Sequence, residues 1–126
     1  MTRIPATAIA ALLGCTLVFD AAAATIRVQC EARPGRAKIS VDAKNLASGR
    51  YSTSVMSGSN VATSPVVATV GDEIQTDYDS NPADIAAGAT AISTTFIAGG
   101  AVVGKVLDSS GNTVISDTVA CRVRTR

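Results

Sequence analysis

The chain of 126 residues contains no histidine, no tryptophan, and only two Phe and two Tyr. Without histidine, the commonest general base and the commonest metal ligand are both missing. With so few aromatics there is no platform on which bases or sugars would stack, and no nucleic-acid recognition motif is present. No sign of charge dominates, since eleven Lys+Arg stand against ten Asp+Glu. No run approaches the about 20 apolar residues of a membrane-crossing helix. These absences argue against an enzyme, a nucleic-acid binder and a transmembrane protein. They leave open a small binding or structural domain.

The start of the chain has the order of a secretory signal. Arg3 is followed by an apolar stretch from Ile9 to Phe19 and by the small residues Ala21 to Ala24. Cleavage is expected after Ala24, giving a signal segment 1–24 and one domain 25–126. A second reading is that Leu12-Leu13-Gly14-Cys15 resembles a bacterial lipobox, which would anchor the protein through a lipid on Cys15. The first reading places the protein in the periplasm or outside the cell, and the second anchors it to a membrane. No Asn-x-Ser/Thr sequon is present, which fits a bacterial source. With Cys15 in the signal, Cys30 and Cys121 remain near opposite ends of an exported chain. A disulfide between them is expected. It would close a loop of about 90 residues, worth roughly 4–5 kcal/mol in the chain-entropy account.

The rest reads as short alternating strands and turns. Ile26, Val28 and Cys30 alternate with polar residues. After Pro34-Gly35, so do Ala37, Ile39 and Val41. Further strands are expected around Tyr51–Val55, Ile74–Tyr78, Ile92–Phe96, Ala101–Asp108 and Thr113–Val123. Pro65 interrupts the apolar Val61–Val70 stretch, as suits an edge. Asn81 as N-cap with Pro82 at the first helical position predicts one helical turn over Pro82–Ala87. This spacing favours an all-β sandwich of seven or eight antiparallel strands with one helical turn and one disulfide.

Leu46-Ala47-Ser48-Gly49-Arg50-Tyr51 resembles the Leu-x-x-Gly-x-Tyr segment of immunoglobulin-like and fibronectin-like sandwich domains. Val106 to Asn112 resembles a hairpin of bacterial immunoglobulin-like domains. The resemblance implies an immunoglobulin-like antiparallel β-sandwich, with Tyr51 packed at a corner. The buried strand-C tryptophan of antibody domains is absent.

Two surface features stand out. Asp72, Glu73, Asp77, Asp79 and Asp84 form an acidic stretch without Lys or Arg. Within it, Asp77, Asp79 and Asn81 are spaced like the first ligands of a calcium loop, with Asp84 nearby. Pro82 stands where an EF-hand needs glycine, so any calcium site here would be of another kind. A bland reading places Asp77 and Asp79 on a wet strand face, with Asp84 at a helix start. The second feature is basic. Arg27, Arg36 and Lys38 precede the acidic stretch, and Arg122 and Arg124 follow it. Joined by the disulfide, these residues would form a basic interaction face.

Three functions follow as expectations. The first is a non-catalytic module that binds a protein or an anionic envelope polymer. The second is a structural subunit of a surface or fibre assembly, built by self-association of basic and acidic regions. The third is a calcium-dependent module. No other cofactor is expected.

Overall fold

The computed structural model describes residues 23–125. Most of the expected signal segment, and Cys15 with it, lie outside the described residues. Ten strands follow in chain order: β1 (Thr25–Arg33), β2 (Arg36–Lys44), β3 (Arg50–Ser57), β4 (Asn60–Thr63), β5 (Val67–Ala68), β6 (Ile74–Asp79), β7 (Thr90–Ala91), β8 (Ala101–Leu107), β9 (Thr113–Ala120) and β10 (Arg122–Val123). Three of them, β5, β7 and β10, are two-residue pairings. One helix, α1 (Pro82–Ala86), lies between β6 and β7. The strands form two sheets, β10-β1-β2-β6-β7 and β4-β3-β8-β9, with β5 also paired to β3. The architecture is an all-β sandwich with one short helix and the Cys30–Cys121 disulfide. Most pairings are antiparallel, but β10 joins β1, and β7 joins β6, in parallel.

Alternation explains which residues face inward. Ala37, Ile39, Val41 and Ala43 of β2 are buried, as are Val102 and Val106 of β8. β8 also turns Gly104 inward. A Cβ there would lie 2.6 Å from Val28 Cγ2, so only glycine lets β1 and β8 approach this closely. Beside this contact the chain leaves β9, passes Cys121 and enters the first sheet as β10. The bridge to Cys30 spans a sequence separation of 91, with Cα atoms 4.7 Å apart.

The opposite flank of the interior is polar. Thr53 Oγ1 of β3 is 2.7 Å from Thr76 Oγ1 and hydrogen-bonds the Tyr78 hydroxyl, both on β6. Ser64 closes the cluster, accepting the Thr53 N–H through its hydroxyl at 2.9 Å. Burial pushes the Tyr78 phenol up from its ordinary value.

Tyr51 ties down the corner before β3. Leu46 is buried, and the Tyr51 hydroxyl donates to the Ala47 carbonyl at 2.7 Å. The expected strand over Ile92–Phe96 does not form. Ile92 and Phe96 are buried, but they anchor a looped segment. Its backbone groups bond locally and to side chains: Phe96 N–H to Ser93 O, and Phe96 O to the Asn60 amide. Alternating apolar anchors therefore mark burial here without a ladder.

Candidate interaction face

The outer face of the first sheet carries the residues that alternation turns away from the core. Pairing registers arrange them in cross-strand rows. Arg122 of β10, Glu31 of β1, Lys38 of β2 and Asp79 of β6 form one row. Gln29, Ser40 and Asp77 form the next, and Arg27, Asp42 and Gln75 a third. The basic residues expected on one face do meet on this sheet, but each sits beside an acid. Arg33 and Arg124 both pair with Glu31, the latter at 2.6 Å. The hydrogen bond from Arg33, assisted by its charge and those of Arg124 and Arg122, holds the Glu31 carboxyl below its ordinary value. The face is thus a mosaic of both signs rather than a basic patch.

Arg36 explains the acidic stretch. Its guanidinium donates from Nε to Asp79 Oδ1 at 3.2 Å and from Nη2 to Asp79 Oδ2 at 2.9 Å. The same Nη2 reaches Asp84 Oδ2 at 2.8 Å. Asp79 is only 2% exposed, which corrects the expectation that it lies on a wet face. It shares the outward direction of Asp77, but Arg36 and the α1 turn cover it. Burial would raise the Asp79 carboxyl, yet hydrogen bonds from Arg36 and from the Asn81 and Ser80 N–H groups hold it below its ordinary value. Asn81 is the helix N-cap, accepting the Ala83 N–H at 2.9 Å. Of the four calcium candidates, then, Asp79 and Asp84 converge on an internal cation, Asn81 caps a helix, and Asp77 stays exposed on the open face. Among the described residues no group of three acidic or cysteine side chains is arranged to hold a metal ion.

Between these features runs a groove of about 570 Å³. Lys38, Ser40, Asp42, Gln75 and Asp77 form its floor, with the Pro65 segment and the α1–β7 connection as walls. Asp42 is the carboxyl in it that folding raises. Burial, reinforced by the charge of Asp77, raises its carboxyl against the pull of Arg27 and Lys44. Its buried Oδ1 has no hydrogen-bond partner. Sequence reading missed Gln29, Ser40, Asp42 and Gln75 as members of this face. The signal was present in the β2 alternation, which sends Arg36, Lys38, Ser40, Asp42 and Lys44 to one side.

No protein-family model matches the chain, and no curated protein matches it. Among solved structures it is similar to a β-glucosidase from Listeria innocua in complex with glucose, at 12% identity and a TM-score of 0.40. That likeness covers 82% of this chain and 16% of the β-glucosidase chain. No helix among the described residues is long and apolar enough to cross a membrane.

Proposed function

We propose that the protein is a non-catalytic, exported interaction module of immunoglobulin-like or fibronectin-like type, working in the periplasm or outside the cell. Its recognition surface is the outer face of the first sheet, and its partner is a protein. The observation that carries this reading is that Arg122, Glu31 and Lys38 alternate in one cross-strand row with Asp77 exposed in the next, set beside a polar groove. A mosaic of charges selects a partner with the complementary mosaic and disfavours others. An anionic polymer is the poorer match, because it would meet an acid beside each base.

The type is supported by the Tyr51 corner and by the strand order, β1-β2-β6 facing β4-β3-β8-β9. Export is supported by the disulfide, a bond of oxidising compartments. A non-catalytic role is supported by the lack of histidine and by the oxidised state of Cys30 and Cys121.

The test is capture of a partner from native envelope extract at low salt by the wild type, an Asp77→Lys variant and a Lys105→Glu control. Lys105 lies on β8 in the other sheet. Wild type and control are expected to retain the same protein, and Asp77→Lys to lose it. Equal capture by all three, or retention of polysaccharide alone, would overturn the reading.

A further inference from the structure

Among the described residues the sandwich has several strand edges, and most are short, interrupted or partly covered. The β4–β5 edge is broken by Pro65 into pieces of four and two residues. Tyr78 and Asp79 of β6 are covered by β7, beside the α1 turn. The edge of β1 is met by β10 at Glu31 and Ala32 and by the disulfide at Cys30, and its open stretch carries the charged Arg27. β9 is different. Its eight residues pair with β8 alone, and they contain no Lys, Pro or Gly. Five of the eight are β-branched, and nearly all are exposed. An edge of this kind is a ready template for another strand.

The direction of its free groups follows from the ladder. Cys121 N–H donates to Gly100 O at 2.7 Å, which makes that position a hydrogen-bonded pair. Bonded and non-bonded pairs alternate in an antiparallel ladder. Residues 115, 117 and 119 therefore bond to β8, and Ser116, Thr118 and Ala120 turn their N–H and C=O groups outward. One of these donors is already engaged: Asp117 Oδ1 accepts the Thr118 N–H at 2.9 Å.

Asp117 is also the only charged residue of β9. It lies opposite Gly104, on the side of β9 that turns toward the interior, between Ile115 and Val119. A second copy of the chain is a poor occupant. Antiparallel pairing of two β9 strands about their centre would set Asp117 against its own counterpart, and like charges directly opposite are destabilising. Sliding the register by one pair sets it against Ile115 or Val119 instead.

We propose that β9 is a docking edge for an extended segment of a partner protein. The segment adds as a further strand beside β9 in the second sheet and carries Lys or Arg facing Asp117, with apolar residues facing Ile115 and Val119. On docking, the Thr118 N–H passes to the incoming backbone. The Asp117 carboxylate turns to the facing cation. Main-chain bonds supply attachment, and the alternate side chains supply the choice. The proposal is independent of the charged face of the other sheet, and its test leaves that face intact.

The probes are two capped synthetic peptides, Thr-Val-Thr-Lys-Thr-Val-Thr and the same sequence with Asp in place of Lys. Binding is measured by amide hydrogen exchange read by NMR on the full folded protein. The Lys peptide is expected to slow exchange at Ser116, Thr118 and Ala120, and to bind about three- to tenfold more tightly than the Asp peptide. In an Asp117→Lys variant the preference is expected to reverse. The proposal is overturned if neither peptide protects those amides. It is equally overturned if protection falls on β4 or β6, or if the preference survives the charge reversal.

Discussion

The two flanks of the interior are closed by different physics. On the flank of β1, β8 and β9 the sheets meet by shape, with Val28 filling the space that Gly104 leaves and the Cys30–Cys121 bridge beside it. On the flank of β3 and β6 they meet by hydrogen bonds among Thr53, Thr76, Tyr78 and Ser64. Shape tolerates no added atom but asks for no partner. A buried hydroxyl tolerates small shifts, yet any lost partner leaves another group unpaired. The first flank should therefore fail through volume or cross-linking. The second should fail through loss of single polar atoms.

The largest effect tests the covalent part of the first flank. A Cys30→Ser/Cys121→Ser variant is expected to lose about 2–5 kcal/mol of stability in urea unfolding. Gly104→Ala tests the steric part. The new methyl meets a branched side chain with little rotamer freedom, so a loss of about 1–3 kcal/mol is expected. Val28→Ala added to Gly104→Ala should recover part of that loss. If the double variant is worse than the sum of the two singles, the shape account is wrong.

On the second flank, Thr53→Val keeps the volume but strands the Tyr78 hydroxyl and Thr76. A loss of about 1–3 kcal/mol is expected. Adding Tyr78→Phe should cost less than its own single effect, because the hydroxyl it removes has already lost its Thr53 partner. Simple additivity would remove the distinction between the flanks.

Acid should act at neither flank but on the outer face of β6, where Asp79 meets Arg36. The folded state holds the Asp79 carboxyl below its ordinary value of 3.8. A carboxyl lowered by folding contributes stability above its unfolded value and loses it as pH falls through the folded one. The thermal midpoint is expected to drop below about pH 4, and Asp79→Asn should flatten that drop while lowering the midpoint at neutral pH. Asp42 has the opposite sign. Its carboxyl is raised, so its charged form opposes folding at neutral pH. Asp42→Asn is expected to raise the midpoint slightly there, the smallest effect of the series.

Much of the frame was legible before the structure. Alternation located β1, β2 and β6 because a strand half in water must change polarity at every step, and a nearly all-apolar run marked β8, which lies between β3 and β9. The helical turn was legible because Asn81 and Pro82 act within one turn of backbone. The disulfide followed from compartment and count. What stayed hidden depends on contacts far apart in sequence. Ile92 and Phe96 alternate like strand residues, yet their ladder partners are replaced by side chains such as Asn60. Asp79 looked wet because nothing near it in sequence announces Arg36, which arrives 43 positions away. The basic face looked uniform for the same reason: only the pairing register shows that Lys38 stands between Glu31 and Asp79.

The passage of the chain from β9 into β10 at Cys121 has a mechanical consequence. The bridge ties residue 30 to residue 121, close to both ends of the described chain. A pull on those ends runs through the sulfurs and bypasses the span between them. Under load, only the short lengths outside the bridge can extend, with β10 shearing along β1. While oxidised, the domain behaves as a nearly inextensible link, and its sheets carry little of the tension.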